Sequence, residues 1–545
     1  MKYLSKGLAL SIIFLAGCQN TSNKKEATNP QVAESSNGAV AAAHPLATQA
    51  GITILEQGGN AIDAAVATGF AIAVVEQSMN GLGGRFQAII RKSDGTISGI
   101  DATTQVPLSY DAATATQSRN GYPTIGVPGV VKGLTTLLEK HGTMDLATVM
   151  APAISYAENG YKLLPMAAMR HAYAIDYIRQ FEGTSSYFLN GDTTYLAGEL
   201  FVQKDLANTL RIIAEKGGDA FYKGEIAEKM AEDVQANGGY LDMESLEKYE
   251  ARESKIVTGN YRGYDLSSLW MPAFGAITIE MLHIMENLPM IDNSEAEWGN
   301  GFFVANTLAY QDRNKQTSDE MAELLTSKGY AKAKLDSMNG LEDQSTALAF
   351  SQDWLTKDGH TTHYSTADKD GNMLAITQTV GPNFGSKVAT PGLGFLYATT
   401  MGGYLGDLEG GQRVPSHISP TLVTKDGEPF LILGAAGGAR IPTAIVSTIS
   451  RMIDRKMDLP SAMAAGRVFS VDTAVLVEMH EGTTWSQSDL DELRALGLNV
   501  VEVERPGSFG RVHAIYFDSE KKIWIGAADP DWEGTSEGVT EEKEE

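Results

Sequence analysis

The chain has 545 residues, with 43 Lys and Arg against 68 Asp and Glu, so its formal net charge at pH 7 is −25. This excess of acidic residues argues against nucleic-acid binding, because phosphate backbones are held by clustered Lys and Arg side chains. A hydrophobic fraction of 43% and a charged fraction of 20% are typical of a globular protein, and the length fits several domains or one large layered domain.

The first 18 residues have the composition of a secretory signal, with two lysines ahead of an apolar run at 8–16 that is too short to span a bilayer. Residues 15–18 read Leu-Ala-Gly-Cys and resemble a bacterial lipobox, in which Cys18 is lipidated and becomes the mature N-terminus. The alternative is a plain cleaved signal peptide with a chance cysteine. Gln19 follows, which in this resemblance favours the outer membrane. We therefore expect a protein of the bacterial cell envelope, lipid-anchored and facing the periplasm.

Residues 19–37 are rich in Asn, Ser, Thr, Lys, Glu and Pro, and this composition predicts a flexible tether. The folded chain is predicted to begin at residue 38, with a short apolar strand at 39–42. A helix is predicted for 46–57, where two glycines end it. A second helix, 60–77, is apolar on nearly all sides, so we expect it to be buried between layers.

Two β-hairpins are predicted on either side of a helical middle, and further strands follow the second hairpin. This order of elements predicts a layered α+β core. The predicted segments are 86–91 with 96–100, the helical region 131–250, 361–367 with 373–380, and the strands 421–425 and 430–433.

Two short motifs do not indicate sites. Residues 534–538, Gly-Thr-Ser-Glu-Gly, fit the pattern of a nucleophile elbow, but their flanks lack the strand and helix that this elbow needs, and a solvated loop is predicted. Residues 81–86 begin like a dinucleotide-binding loop but have Phe86 where the third glycine belongs. Because no two histidines have zinc-motif spacing and only one cysteine is present, we expect no metal and no cofactor.

Two segments have residue types suited to acyl-transfer chemistry. Residues 359–365, Gly-His-Thr-Thr-His-Tyr-Ser, lead into a predicted strand, although two threonines at a strand start alone indicate only β-propensity. Residues 434–440, Gly-Ala-Ala-Gly-Gly-Ala-Arg, follow an apolar strand and would present backbone N–H groups at close range, as an oxyanion hole requires.

With these two segments included, the chain resembles the gamma-glutamyltransferase (glutathione hydrolase) family of N-terminal-nucleophile hydrolases over nearly its whole length after the tether. The resemblance implies a four-layer αββα fold within the α+β class. It also implies one precursor that yields a large subunit, 38–360, and a small subunit, 361–545. The matching segments are 58–65, 81–84, 126–129, 221–224, 260–264, 361–365, 419–421 and 528–530.

The resemblance implies a mechanism. Thr361 attacks the carbonyl of His360, and an N-to-O acyl shift followed by hydrolysis cuts the chain. The freed α-amine of Thr361 then acts as general base for its own hydroxyl, because such an amine titrates near a pH of about 8. The backbone N–H groups of Gly437 and Gly438 stabilise the oxyanion, and Thr379 hydrogen-bonds the nucleophile. The acyl group passes to water or to an amine.

The positions that bind glutamate in the family differ in this chain. Thr103 replaces the arginine that holds the α-carboxylate, and Thr400 and Gly403 replace the residues that meet the α-amino group. Of two paired serines only Ser416 remains, with His417 beside it. Losing a bidentate charge pair predicts an acyl group other than free glutamate.

Two arginines are alternative partners for a substrate carboxylate. Arg85 stands where the family has a glycine, and Arg440 is retained from the family pattern. Each of them, like His417, is also compatible with a purely structural role.

Three functions are compatible with these residues. The first is an autocatalytically processed threonine hydrolase that cleaves a gamma-glutamyl-type or related amide bond. The second is an amidase or acylase with a non-glutamyl substrate, including an acyltransferase that modifies peptidoglycan or capsule. The third is an inactive envelope-binding protein with the same fold. We expect a small-molecule or peptide amide as substrate and no nucleic-acid partner.

Overall fold

The structure, a computed structural model, describes residues 30–291, 293–338, 360–403, 408–471, 474–479, 485–504 and 507–540. The predicted signal peptide, the lipidation site Cys18 and residues 19–29 of the predicted tether lie outside this part of the chain. Within it, no helix combines the length and the apolar character that a membrane span requires.

Two seven-stranded sheets form the centre of the molecule. Strands are numbered in chain order. Sheet I consists, in spatial order, of β21 (Thr535–Gly538), β2 (Gly38–Ala42), β12 (Thr362–Asp368), β13 (Met373–Thr379), β3 (Arg85–Arg91), β4 (Ile97–Ala102) and β9 (Arg252–Glu253). Sheet II consists of β1 (Val32–Ser35), β20 (Ile523–Ala528), β19 (Arg511–Asp518), β15 (Glu428–Ala436), β14 (Thr421–Lys425), β11 (Tyr264–Leu269) and β10 (Ile256–Tyr261).

Among the described residues, seven further strands lie outside the two large sheets. A three-stranded sheet contains β16 (Val468–Val471), β17 (Ala474–Glu478) and β18 (Asn499–Val503), and two small pairs are β5 (Tyr161–Lys162) with β8 (Leu200–Phe201) and β6 (Leu189–Asn190) with β7 (Thr193–Thr194).

Helices cover the outer face of each sheet. On sheet I lie α1 (Pro45–Glu56), α2 (Ala61–Val75), α3 (Val130–His141), α4 (Leu146–Asn159), α5 (Pro165–Ile178), α6 (Glu182–Phe188), α7 (Lys204–Lys216), α8 (Glu225–Ala236) and α9 (Met243–Glu247). On sheet II lie α10 (Gly275–Glu286), α11 (Glu295–Gln311), α12 (Asp319–Leu325), α13 (Lys328–Met338), α14 (Ile441–Asp454), α15 (Leu459–Ala464) and α16 (Gln487–Ala495). This is the predicted αββα order of layers.

The helix α2 is buried as predicted, because every one of its residues is covered. Asn60 caps its start by accepting hydrogen bonds from the backbone N–H groups of Ile62 and Asp63. The carboxylate of Asp368, the last residue of β12 before the turn to β13, accepts a further bond from the N–H of Ala61 at 2.8 Å. An anion is favoured at this helix end, so the turn and the helix fix each other's position.

The structure corrects two predictions at the chain ends. Residues 32–35 belong to the predicted tether but form β1, which pairs with β20 at the edge of sheet II; their polar composition suits an edge strand. Residues 534–538, predicted as a solvated loop, lie largely within β21, which pairs with β2. Ser536 is buried and its hydroxyl donates to the carbonyl of Val40, so it has a structural role.

Candidate active site

The space between the two sheets is apolar along most of its length. Residues such as Ile89, Ala375, Ile432 and Trp524 form this inter-sheet core. It becomes polar at the end where β12 begins. Directly opposite residues of antiparallel strands share a face, so the register shows which side chains meet there.

The polar end of sheet I consists of two rows of side chains that face sheet II. The register of β12, β13, β3 and β4 places one residue of each strand in each row. The second polar row is His363, Thr377, Gln87 and Asp101. One step beyond it, the terminal row is Thr361, Thr379, Arg85 and Thr103; Thr361 lies one residue before β12, and Thr103 one residue after β4.

In the second polar row, the ring of His363 approaches the other sheet. Its Nδ1 lies 2.8 Å from the hydroxyl of Thr377, and burial holds its pKa well below the ordinary value, so the ring is neutral. A Cβ added to Gly434 of β15 would lie 2.3 Å from this ring. Gly434 therefore lets the two sheets come close at the end that contains the site.

A chain of hydrogen bonds surrounds the bond between His360 and Thr361. The hydroxyl of Thr361 lies 3.4 Å from that of Thr379, to which it donates. The hydroxyl of Thr379 donates in turn to the carbonyl oxygen of His360 at 2.6 Å and accepts from the N–H of Gly381 at 2.9 Å. Thr379 thus contacts both the predicted nucleophile and the carbonyl group that this nucleophile would attack.

A buried cluster of charged side chains lies behind this bond. Arg511 donates to the carbonyl oxygen of Thr361 at 3.3 Å, and Arg170 contacts the ring of His360 at 2.6 Å. Both guanidinium groups stack on the indole of Trp532, at 4.1 and 4.6 Å from the ring centre.

Glu76, at the end of α2, completes this cluster and is only 7% exposed. Burial raises the pKa of its carboxyl to about 7, although Arg511, the Thr362 hydroxyl and Arg170 act in the opposite direction. Glu76, Arg170 and Arg511 were not predicted as site residues from the sequence. A detectable signal was the presence of a glutamate directly after a helix with no polar face.

A second buried network holds Arg511 in place. Arg467 forms ion pairs with Glu478, Asp529 and Asp531 at 2.8 to 2.9 Å, and these acids hold its pKa well above the ordinary value despite burial. Asp529 also accepts a bond from the N–H of Val512, the residue after Arg511, at 2.9 Å.

The predicted oxyanion segment lies beside this network. Ala436, the last residue of β15, pairs with Arg511, whose guanidinium contacts Thr361. The next two residues, Gly437 and Gly438, have φ values of 146° and 59°, which side chains rarely adopt. They lead through a short 3₁₀ turn into α14. Their backbone N–H groups therefore belong to a turn that opens a helix, where anions are favoured.

The predicted substrate-binding residues do not form one group. Thr103 lies in the terminal row, but its hydroxyl donates to the carbonyl of Val414 at 3.3 Å. Thr400 is buried, with its hydroxyl 3.5 Å from the carbonyl of Ala398. Gly403 is exposed at the surface.

The other three candidates contact elements next to sheet II. The N–H of Ser416 donates to the carbonyl of Pro272 at 2.9 Å. The ring of His417 packs against that of Phe274, with the ring centres 4.6 Å apart and the planes tilted by 54°. Burial lowers the pKa of His417 to about 3, so this ring is neutral. The guanidinium of Arg440 lies 5.5 Å from the ring of Phe469. In the described ranges, no group of His, Cys, Asp or Glu side chains is placed to bind a metal.

The chain is similar to several known proteins over most of its length. The family model described as Gamma-glutamyltranspeptidase matches residues 47–539. A glutathione hydrolase proenzyme of Pseudomonas sp. (strain A14) is 35% identical over 470 residues, which cover 79% of this chain and 81% of that protein. The glutathione hydrolase proenzyme of Escherichia coli (strain K12) is 32% identical over 529 residues, or 90% of each chain. The solved structure of cephalosporin acylase from Bacillus halodurans aligns with a TM-score of 0.85 and 27% identity, covering 96% of this chain and 100% of that one. The chain belongs to the gamma-glutamyltranspeptidase family.

Proposed function

We propose that the chain is a precursor that cuts itself before Thr361 and then hydrolyses or transfers an acyl group from an amide, with Thr361 as nucleophile. The observation that carries this proposal is the hydrogen-bond chain from the Thr361 hydroxyl through Thr379 to the His360 carbonyl. The same contacts orient the nucleophile and polarise the carbonyl under attack. The proenzyme relatives support a two-subunit product.

Self-cleavage proceeds in two steps, an acyl shift and a hydrolysis. The Thr361 oxygen bonds to the His360 carbonyl carbon, its proton leaves toward Thr379, and the bond from that carbon to the Thr361 nitrogen breaks as the nitrogen takes up a proton. Water then hydrolyses the resulting ester. This leaves a carboxylate on His360 and a free α-amine and hydroxyl on Thr361.

The mature site then acts on an external amide. The α-amine of Thr361 takes the proton of its own hydroxyl, the oxygen attacks the substrate carbonyl, and an acyl-enzyme forms as the protonated amine departs. The N–H groups of Gly437 and Gly438 stabilise the oxyanion. Water or a second amine removes the acyl group.

The acyl group is, in this proposal, not a free glutamate. Thr103 cannot supply the charge of an arginine, and its hydroxyl is engaged with Val414. The likeness to a cephalosporin acylase supports an acylase activity, whereas the glutathione hydrolase relatives support gamma-glutamyl turnover. Rates on gamma-glutamyl p-nitroanilide and on the same anilide without the α-amino group decide between the two activities.

Intact mass and N-terminal sequencing test self-cleavage. We expect two fragments from the wild type, the smaller beginning at Thr361, and one uncut chain from Thr361→Ala. The matched control is Thr366→Val, which removes a hydroxyl on the same strand that donates to Ala61 and leaves cleavage intact. An uncut wild type would refute the proposal and support an inactive binding protein.

We also propose that the protein is lipid-anchored through Cys18 in the cell envelope. The sequence of residues 15–18 supports this. Metabolic labelling with a radioactive fatty acid should mark the wild type and not Cys18→Ser; equal labelling of both would refute the anchor.

A further inference from the structure

We propose that an exposed apolar surface beside α5 contacts the lipid bilayer in which Cys18 is anchored. This inference goes beyond the hydrolytic activity and rests on the lipid anchor proposed above. The surface, called the α5 surface below, consists of Tyr173, Tyr177, Leu196 and Leu200.

These four side chains are strongly exposed for their type. Tyr173, Leu196 and Leu200 are 70%, 65% and 58% exposed, the three highest values among the large apolar side chains of the described ranges. Tyr177, one turn further along α5 than Tyr173, is 43% exposed. Single exposed apolar side chains need no explanation, whereas a group of them on one surface marks a site of contact.

Hydrogen bonds at both ends of α5 bring the two leucines beside the two tyrosines. Just before the helix, the N–H of Leu163 donates to the carbonyl of Glu199 at 2.9 Å. Just after it, the side chain of Arg179 donates to the carbonyl of Asp192 at 2.6 Å. The segment 192–200 is therefore held at both ends of α5 and runs along it.

The α5 surface carries little charge, although the whole chain has a net charge of −25. The exposed side of α5 has one charged residue, Asp176, whose carboxylate lies 3.6 Å from the guanidinium of Arg179. In contrast, the exposed side of α8 carries Glu225, Glu228, Lys229 and Glu232. Removing the α5 surface from water therefore costs little desolvation of charged groups.

Tyrosine and leucine suit the boundary between lipid and water. A tyrosine ring enters the apolar region while its hydroxyl stays hydrated, and tyrosine is enriched at this boundary in membrane proteins. A protein that already has a lipid anchor needs only such a shallow contact.

The start of the described chain supports lipid as the occupant of this surface. The side-chain amide of Gln31 donates to the carbonyl of Trp532 at 3.0 Å. The next residue, Glu533, accepts a hydrogen bond from the N–H of Met166, in the first turn of α5, at 3.1 Å. The chain that comes from the anchor thus enters the fold next to the helix that carries the α5 surface.

The length of the connection has the same consequence. Residues 19–29 connect Cys18 to the first described residue, and a chain of this length spans at most about 40 Å. Such a connection keeps the α5 surface at a high effective concentration near the bilayer. A contact of four side chains, too weak to hold a free protein on a membrane, is then sufficient to orient an anchored one.

The test uses the purified lipidated protein in phosphatidylcholine vesicles. Cys18 is the one cysteine of the chain and its sulfur carries the lipid, so an introduced cysteine is the single free thiol. Tyr173→Cys and Leu196→Cys are each labelled with the fluorophore NBD. We expect lipids with a nitroxide on the acyl chain to quench both labels.

Leu496→Cys is the matched control for the label itself. Leu496 is 46% exposed and directly follows α16, in the helical layer on sheet II. The same fluorophore there should not be quenched, because this layer lies on the opposite side of the molecule from α5.

A double variant tests whether the apolar side chains cause the contact. Tyr177→Ser with Leu200→Ser should reduce the ratio of membrane-contacting to free orientations by about tenfold or more, measured as the loss of quenching at position 173. Leu324→Ser with Leu496→Ser, which removes two exposed leucines from the sheet II layer, should leave this quenching unchanged.

The outcomes separate this inference from the anchor. Absent quenching at positions 173 and 196, or equal quenching at all three positions, would overturn the contact alone. A blue-shifted NBD emission without nitroxide quenching would show that protein, such as a second copy of the chain, covers the surface, and would also overturn it. Equal fatty-acid labelling of the wild type and Cys18→Ser would overturn the anchor and this inference with it.

Discussion

Glu76 should make the stability of the protein depend on pH in a direction opposite to that of most paired carboxylates. Burial raises the pKa of its carboxyl from 4.5 to about 7. Between these values the folded chain holds a proton that the unfolded chain has released. The free energy of unfolding therefore falls as the pH rises through this window and stays lower above it. Glu76→Gln removes the titrating group and keeps the shape of the side chain.

The size of the effect follows from the shift. A displacement of about 2.5 pH units corresponds to about 3 kcal/mol, at about 1.4 kcal/mol per unit. Relative to the parent, Glu76→Gln should be similarly stable near pH 4 and should gain about 3 kcal/mol by pH 8. The competing force is the attraction of the carboxylate to Arg511 and Arg170, which favours the charged form.

Urea unfolding at several pH values measures this difference. The comparison is best made with Thr361→Ala as the parent, because the chain then stays in one piece. Thr366→Val is the control: it removes a buried hydroxyl without a titrating group, so its effect should be the same at every pH. A Glu76→Gln effect that is also constant with pH would refute the raised pKa. A variant that loses stability as the pH rises would show that the arginines outweigh burial.

Three further substitutions test the geometry of the site. Thr379→Val should slow self-cleavage by about 10- to 100-fold, measured as the uncut fraction over time on a denaturing gel; unchanged kinetics would contradict the hydrogen-bond chain. Gly437→Ala should lower the stability by about 1–3 kcal/mol and should also lower kcat, because its Cβ would lie 2.8 Å from Gly510. The control is Gly427→Ala: Gly427 has a φ of 83° and open space around it, so this variant should leave kcat unchanged. Arg467→Met should lower the stability by about 3–5 kcal/mol, because three buried acids lose their partner; a thermal melt within 1 °C or so of the wild type would contradict this.

Local patterns predicted the hairpin of β12 and β13 and the helix α2 correctly. A turn that contains Asp-Gly between two segments of strand-forming residues specifies a hairpin, and Asn60 marks a helix start by its own side chain. The cluster of Glu76, Arg170 and Arg511 could not be predicted in the same way. Its members come from distant parts of the chain and meet only in the folded structure, where Arg170 and Arg511 lie on the same Trp532 indole.

The position of Arg85 shows a related limit. Its replacement of a glycine was visible in the sequence, but the sequence did not place it relative to the nucleophile. The pairing register does so, because Thr379 stands opposite Arg85 and next to Thr361. The edge strands β1 and β21 were missed for another reason: a strand at a sheet edge needs few apolar residues, so composition favoured a tether or a loop.

The sheet order also determines what happens to the two fragments after a cut before Thr361. In sheet I, β12 and β13 lie between β2 and β3, and β21 pairs with β2; in sheet II, β1 pairs with β20 and β11 with β14. Strands from both sides of the cut therefore alternate within each sheet, and the backbone hydrogen bonds between them do not depend on the His360–Thr361 peptide. We expect the fragments to elute as one species in size-exclusion chromatography and to separate only in denaturant. Fragments that separate in native buffer would show that the cleaved protein does not keep these sheets. The cluster that joins Glu76 and Arg170 of one fragment to Arg511 of the other would be lost with them.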